Sequence, residues 1–370
     1  MKKILFSILS LIFGGTSVYA DIIVKLPQDC NTGDIDYYYA PIKQYAEAKT
    51  RAERGLVIDS IKITDSNARI IIPDNGKAYM CGLTYSNSDY GTPNILVFIN
   101  SGEDINLNYL SFHPFAYSLS GTTLADSMNE MAQQNSEFYA KIEELYAKGE
   151  EAAPEINELE NQHIGFVKNF ISSNPATPAA PVALLELEGE DFIDMYRLIG
   201  DRMNSSILSP LVERQYNIEQ KGLEAQKKQQ ALESGQVEAP NFTLKDLEGK
   251  DVSLTDFRGK WIILDFWGSW CPWCIKGFPE LKEAYQKYTG KLEIIGIDCN
   301  ESEADWKSGV EKYDLPWVQV YNPQGSTLTE EYAVQGFPTK AIIDPAGKIR
   351  NITVGHNPQF FMILSELMGE

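Results

Sequence analysis

The stretch WIILDFWGSWCPWC, residues 261–274, constrains the fold more than any other part of this 370-residue chain. Its first seven residues form an apolar run broken only by Asp265, too short for an ordinary helix and rich in residues that suit a buried strand. Pro272 follows, and proline suits the first turn of a helix, where its missing N–H would be unpaired anyway. A strand feeding directly into a helix is the repeating unit of α/β layers. Cys271 then falls at the N-cap and Cys274 one turn inside. The partial positive charge of the helix end stabilises a thiolate on Cys271. This reading makes Cys271 exposed and reactive, and Cys274 shielded and close enough to resolve a mixed disulfide.

Other chemistries for a CxxC pair fit less well. A zinc site needs four ligands, yet Cys30, Cys81 and Cys299 are scattered and the only histidines are His113, His163 and His356. A purely structural disulfide is disfavoured because a strand–CxxC–helix arrangement exposes its first sulfur. A peroxidatic cysteine would want threonine three residues earlier, where this chain has Gly268. The dithiol reading calls for no metal and no cofactor.

Residues 1–20 read as a secretory signal peptide: a basic MKK start, the apolar run ILFSILSLIF, and small residues ending at Ala20. The apolar run is too short to span a bilayer. A soluble periplasmic protein is expected, in a compartment where disulfides form. The formal net charge of −20 argues against nucleic acid and anionic membrane surfaces as partners.

Three regions follow. Residues 21–120 carry short β-branched runs (GLVIDSIKIT, ARIIIP, NILVFIN) separated by turn signals such as DNG and NSG, which predicts a β-sandwich. Residues 121–235 turn helical. Leu124, Met128, Met131, Phe138, Ile142 and Leu145, with Asn135 filling the missing position, then Ile156, Leu159, His163, Phe166 and Phe170, keep a 3–4 spacing that predicts a helical hairpin with one apolar seam. Such a stripe is more often an intramolecular seam than a dimer contact. The polar stretch EAQKKQQALESGQ ending this region reads as a solvated connector. Residues 236–370 alternate strand and helix, an α/β domain.

Residues 236–370 resemble the thioredoxin-fold domain of the exported TlpA/ResA-like thiol–disulfide oxidoreductases. The residues carrying the resemblance are DFWGSWCPWC, Pro279, GFPTKAIID and DPAGKI. Residues 21–120 resemble the DUF4369 domain through VIDSIKI, INSGEDINL and SLSGT. The first resemblance implies the following site. Cys271 is the nucleophile and Cys274 the resolving thiol. Asp265 matches a buried acid that accepts the Cys274 proton. Pro338 matches a cis-proline, and the backbone of Phe337 before it meets an extended substrate strand. Thr339 completes that GFPT loop, while Trp267 and Trp270 match the aromatic pair around the site. Many ResA-like proteins carry Glu and Asn where this chain has Gly277 and Asp265. Trp273, between the cysteines, widens the apolar docking surface.

The resemblance implies protein disulfides as substrates and a membrane electron donor of the DsbD/CcdA type. Reduction of substrates is the favoured direction; oxidation or isomerisation would use the same residues. The rival class is a client-binding or dimerising scaffold built by residues 21–235, with the redox domain auxiliary and a homodimer as its form. Cys30 and Cys81 share the β region, and a disulfide between them would add about 4 kcal/mol in the chain-entropy model. Cys299 ends the strand LEIIGID and reads as a small apolar residue or a third redox thiol.

Overall fold

The computed structural model describes residues 19–27, 30, 32–63, 65–73, 75–87, 91–112, 115–235 and 237–369. The leader expected over residues 1–20 therefore lies outside the described residues, except Tyr19 and Ala20, which pair with Pro73 and Ile72 in a sheet. His113 also lies outside them. No helix among the described residues is long and apolar enough to cross a membrane. The chain forms two compact units, one ending at Gln220 and one beginning at Lys221.

The first unit opens with two four-stranded sheets. One has the order Asn67–Pro73, Tyr19–Lys25, Asp104–Phe112, Phe115–Ser120; the other Val57–Ile63, Gly33–Pro41, Ala78–Ser86, Ile95–Asn100. Asn67–Pro73 shows why they form. Ala68, Ile70 and Ile72 are buried while Arg69 and Ile71 are exposed, the two-residue period of a strand with one covered face. The sheets meet face to face where Tyr85 of one stacks on Phe112 of the other, ring centroids 4.9 Å apart. This is the expected sheet-on-sheet architecture.

The disulfide between Cys30 and Cys81, one of two alternatives the sequence leaves open, is not formed. Cys81 sits mid-strand between Tyr39 and Val97, wholly buried, and burial pushes its thiol up to about 12. Cys30 follows Tyr19–Lys25 of the other sheet, its N–H bonded to the Pro27 carbonyl.

The helical region contains the expected hairpin, Asn129–Tyr146 against Ala153–Ser173. The buried stripe of its second helix is displaced from the predicted one. Val167 and Ile171 are fully buried, whereas Ile156, Leu159, His163, Phe166 and Phe170 are half-buried. His163 stacks on Phe138 at 4.4 Å and pairs with Glu186 at 2.9 Å, so a polar contact occupies part of the seam.

The polar stretch read as a solvated connector is helical, within Ser209–Glu233, and its end is tied down. Leu232 is buried in the core of the second unit. Gln229 Nε2 donates to the Ile352 carbonyl at 2.9 Å, and Ile352 N–H donates to Glu233 Oε1 at 2.5 Å. These bonds satisfy the outer edge of Ile349–Val354, the last strand of its sheet, and so protect it from foreign strands.

That sheet has five strands in the order Val318–Val320, Leu292–Asp298, Trp261–Trp267, Thr339–Ile343, Ile349–Val354. The first three are parallel and the last two antiparallel to their inner neighbours. One face packs Leu328, Tyr332, Phe242 and Leu232. The other packs side chains of the helices Pro272–Lys287, Glu303–Tyr313 and Gln359–Leu367. This is the α/β thioredoxin fold expected of residues 236–370.

Candidate redox site

Alternation along Trp261–Trp267 places the site. Ile262, Leu264 and Phe266 enter one core and Ile263 and Trp267 the other. Asp265, between Ile263 and Trp267, therefore projects toward the face that carries the helix Pro272–Lys287. Cys271 is the N-cap of that helix, with Pro272 in its first turn. Its sulfur accepts the Cys274 N–H at 3.1 Å, so a helix-end donor already points at the atom that would bear negative charge. Cys271 and Cys274 form a disulfide, with Cα atoms 5.3 Å apart.

One expectation needs correction. Cys271 is only 3% exposed in this disulfide form. The bonded pair packs with Ile263, Trp267 and Phe278 on its inner side and against the half-buried Phe337.

Trp270 and Trp273 are exposed beside it. The Trp270 indole N–H donates to the Cys299 carbonyl at 3.0 Å, and its ring meets Phe337 edge-on at 5.4 Å. The Phe337–Pro338 peptide is cis. Trp273 is 58% exposed, with Lys276 Nζ 5.0 Å from its ring centroid. Trp270, Trp273 and Phe337 thus present aromatic surface around the disulfide. One expected contact residue, Thr339, and Trp267 of the aromatic pair point elsewhere. Thr339 is buried and its hydroxyl donates to the Gly336 carbonyl at 2.7 Å, which holds the loop's shape. Trp267 is a core residue, its N–H donated to Gln319 Oε1 at 3.2 Å.

Gly268 has a steric reason. A Cβ there would lie 2.3 Å from the Trp270 indole nitrogen, so a threonine at this position would displace the ring. The next residue is clamped: Ser269 N–H donates to Glu301 Oε1 at 2.6 Å, and its hydroxyl donates to Glu301 Oε2.

Asp265 is fully buried, and burial raises its carboxyl above the usual aspartate range, opposed by the Lys340 ammonium. Lys340 Nζ lies 3.5 Å from Asp265 Oδ1. The lysine went unnoticed in the sequence because it stands inside the apolar run KAIID, where its alternation is visible only once the strand is paired. Glu301 and Gln319 were missed for the same reason. Their partners are 32 and 52 residues distant.

Cys299 belongs to the opposite core, with Val320, Leu328 and Tyr332, and burial pushes its thiol up to about 12. Cys299 therefore lies in a different core from Cys271 and Cys274. Among the described residues no cluster of three or more His, Cys, Asp or Glu could hold a metal ion.

Asp298 is a second buried acid, opposite Trp267 in the parallel strand pair. Neither carboxyl oxygen has a hydrogen-bond partner among the described residues. Burial first, and Glu301 second, push it up to about 9. A raised carboxyl stabilises the folded state fully below the unfolded aspartate range, about 4. That stability is lost as pH rises through the interval ending at about 9. The denaturant midpoint of tryptophan-monitored unfolding is therefore expected to fall between mildly acidic and mildly basic pH, and Asp298→Asn to flatten that fall. Parallel wild-type and variant slopes would reject the assignment.

Comparison with known proteins agrees with this geometry. Residues 236–352 match the AhpC/TSA family. The chain is 42% identical to the thiol-disulfide oxidoreductase ResA of Bacillus thuringiensis subsp. konkukian over 123 residues, 33% of this chain and 70% of that protein. It is 33% identical to the thioredoxin-like protein YneN of Bacillus subtilis over 132 residues, 35% of this chain and 76% of that protein. Among solved structures, it is similar to the thioredoxin domain of a thiol-disulfide oxidoreductase from Bacteroides vulgatus. That match has 32% identity, covers 35% of this chain and 95% of the other, and has a TM-score of 0.33.

Proposed function

The chain belongs to the ResA family of thiol–disulfide oxidoreductases, and from this premise we propose that it reduces disulfides of exported proteins in the periplasm through Cys271 and Cys274. The observation that carries the proposal is the Cys271 N-cap, with a helix N–H on its sulfur and Asp265 beneath the same helix.

In the reduced protein the Cys271 thiolate attacks a substrate disulfide, forming a mixed disulfide and releasing one substrate thiolate. Cys274 then attacks Cys271 Sγ. Asp265 takes the Cys274 proton, the bond from Cys271 to the substrate breaks, and the second substrate sulfur leaves. Two electrons have passed to the substrate, and the Cys271–Cys274 bond is restored. Trp270, Trp273 and Phe337 offer apolar contact for an extended substrate segment, and the Phe337–Pro338 backbone offers strand-like pairing. Each turnover leaves the pair oxidised, so the cycle requires an external electron source, for which a membrane dithiol donor of the DsbD/CcdA type fits. The leader-like residues 1–20 support the periplasmic placement.

The direction is tested by the reduction potential of the pair, read from tryptophan fluorescence in glutathione or dithiothreitol buffers with Cys271→Ser as the control. A value close to thioredoxin's, roughly −270 mV, is expected. A value close to DsbA's, roughly −120 mV, would make the protein an oxidant of its substrates. A redox-silent pair would remove the enzymatic reading and leave the client-binding or homodimeric scaffold.

A further inference from the structure

Four residues just before the redox helix form one tight turn. Cys271 N–H donates to the Gly268 carbonyl at 3.1 Å, so Ser269 and Trp270 are the central pair and the nucleophile closes the turn. The two central residues are held at different points. Trp270 is held through its side chain, the indole N–H on the Cys299 carbonyl at 3.0 Å and the ring edge-on to Phe337. Ser269 is held by Glu301, which accepts its N–H on Oε1 at 2.6 Å and its hydroxyl on Oε2. A carboxylate that grips both the backbone and the side chain of one residue fixes its direction as well as its place, and such bonds are about twice as strong as neutral ones.

Glu301 is itself firmly placed. It stands on the connection between the strand Leu292–Asp298 and the helix Glu303–Tyr313. Asn300 before it has φ 64°, a left-handed turn that asparagine tolerates. Ser302 after it caps the helix, its hydroxyl oxygen accepting the Asp305 N–H at 3.2 Å. The Glu301 carbonyl accepts the Tyr321 hydroxyl at 3.3 Å. Burial, and Glu301 after it, hold a proton on Asp298 up to about 9, so the neighbouring carboxyls do not repel each other at neutral pH. The same helix backs the turn directly. A Cβ on Gly309 would lie 2.9 Å from Ser269 Cβ, so a glycine there admits the turn. Residues 299–301 thus hold both central residues at once, Trp270 through a carbonyl and Ser269 through a carboxylate.

We infer that Glu301 is a positioning residue for substrate recognition, fixing the turn at residues 268–271 so that Trp270 stands beside Phe337 as a ready-made contact for a protein disulfide. This inference rests on the substrate contact proposed above for Trp270. Without the carboxylate the turn loses both bonds to Ser269. Trp270 must then be ordered each time a polypeptide binds, and that cost weakens binding. A small disulfide, which needs only the Cys271 sulfur, escapes the cost. Cys271 keeps its place because the helix holds it. Its sulfur accepts the Cys274 N–H at 3.1 Å, and its carbonyl accepts the Ile275 N–H at 3.2 Å. The effect of Glu301 therefore falls on the choice between a protein and a small disulfide, an asymmetry that general destabilisation of the unit would not produce.

The test uses the full chain with Glu301→Ala, Glu301→Gln, Ser269→Ala, Trp270→Ala and the double variant Glu301→Ala/Trp270→Ala. Reduction of insulin, with dithiothreitol as the electron source, is set against reduction of oxidised glutathione. In Glu301→Ala the KM for insulin is expected to rise by about tenfold with kcat near wild type, and the ratio of insulin to glutathione rates to fall accordingly. Glu301→Gln keeps an oxygen for the Ser269 N–H and an amide N–H for its hydroxyl oxygen, and is expected to restore most of the ratio. Ser269→Ala loses only the hydroxyl bond and is expected to lower the ratio by about threefold. If Glu301→Ala does not fold, a wild-type ratio in Ser269→Ala overturns the inference. In the double variant Glu301→Ala is expected to add nothing to the effect of Trp270→Ala on the ratio, as for two residues acting through one contact. With Trp270→Ala impaired, four results each overturn the role of Glu301 and leave the Trp270 contact standing. These are a wild-type ratio in Glu301→Ala, equal loss with both disulfides, additive effects in the double variant, and a Gln variant as impaired as the Ala variant. If Trp270→Ala itself reduces insulin like wild type, the contact reading falls and the role of Glu301 falls with it.

Discussion

Cys274→Ser is expected to arrest the protein as a stable mixed disulfide between Cys271 and its substrate, while Cys271→Ser forms no adduct at all. The asymmetry follows from position. Cys271 is the helix N-cap, its sulfur already facing the Cys274 N–H at 3.1 Å, and it is the thiolate the helix end stabilises. Cys274, one turn inside, is bonded to Cys271 in the structure, so no rearrangement of the backbone is needed for it to attack. A reacting group held in place acts as though at an effective concentration of about 10⁵ M or more. A dilute external thiol cannot replace it, and turnover should fall by about a thousandfold or more. Non-reducing gel electrophoresis and intact-mass measurement after exposure to a disulfide-containing protein distinguish the two variants. Adducts through Cys274 in Cys271→Ser, or free turnover in Cys274→Ser, would reverse the assignment. Cys299 offers no rescue, being buried in the opposite core.

Local patterns were legible in the sequence wherever a residue's role depends on its near neighbours. The strand–CxxC–helix unit, the N-cap at Cys271, the apolar alternation of Asn67–Pro73 and the helical hairpin all follow from periodicity and capping within about twenty residues. Features created by pairing distant segments were not legible. Lys340 looks like a misplaced charge in KAIID until the strand is set beside Asp265, 75 residues earlier in the chain. The polar end of Ser209–Glu233 looks solvated until Gln229 and Glu233 are found holding both backbone groups of Ile352. In the second hairpin helix the predicted stripe was displaced because tertiary contacts chose Val167 and Ile171 as the buried positions. Composition likewise cannot separate a tryptophan exposed at the surface from one that fills a core, and this chain carries both kinds beside one disulfide.

Trp267→Ala is expected to unfold much of what supports that disulfide, in contrast to substitution of its exposed neighbours. Trp267 is wholly buried and meets Phe278 of the redox helix edge-on at 5.3 Å. Truncating a buried tryptophan costs about 3–5 kcal/mol through lost transfer energy and the cavity left behind. A second cost arises at Gln319. Its Oε1 accepts the indole N–H at 3.2 Å, and Gly296 is needed to admit its amide, because a Cβ there would stand 2.3 Å from Oε1. Losing the donor leaves a buried acceptor unpaired, worth about 1–3 kcal/mol more. For a unit of this size the melting temperature should fall by roughly 10 °C or more. Trp273→Ala removes a mostly solvent-facing side chain and should melt close to wild type, Trp270→Ala also loses the bond to the Cys299 carbonyl and the Phe337 contact and should melt only slightly lower, and both should weaken exchange with a protein disulfide. Calorimetry on the three variants, set beside exchange rates with a protein and with a small disulfide, separates the roles. If Trp267→Ala melts like wild type, the tryptophan is not the keystone of this core. If Trp270→Ala and Trp273→Ala leave protein exchange unchanged, the exposed aromatic surface does not contact substrate, and recognition would then fall to the Phe337–Pro338 backbone alone.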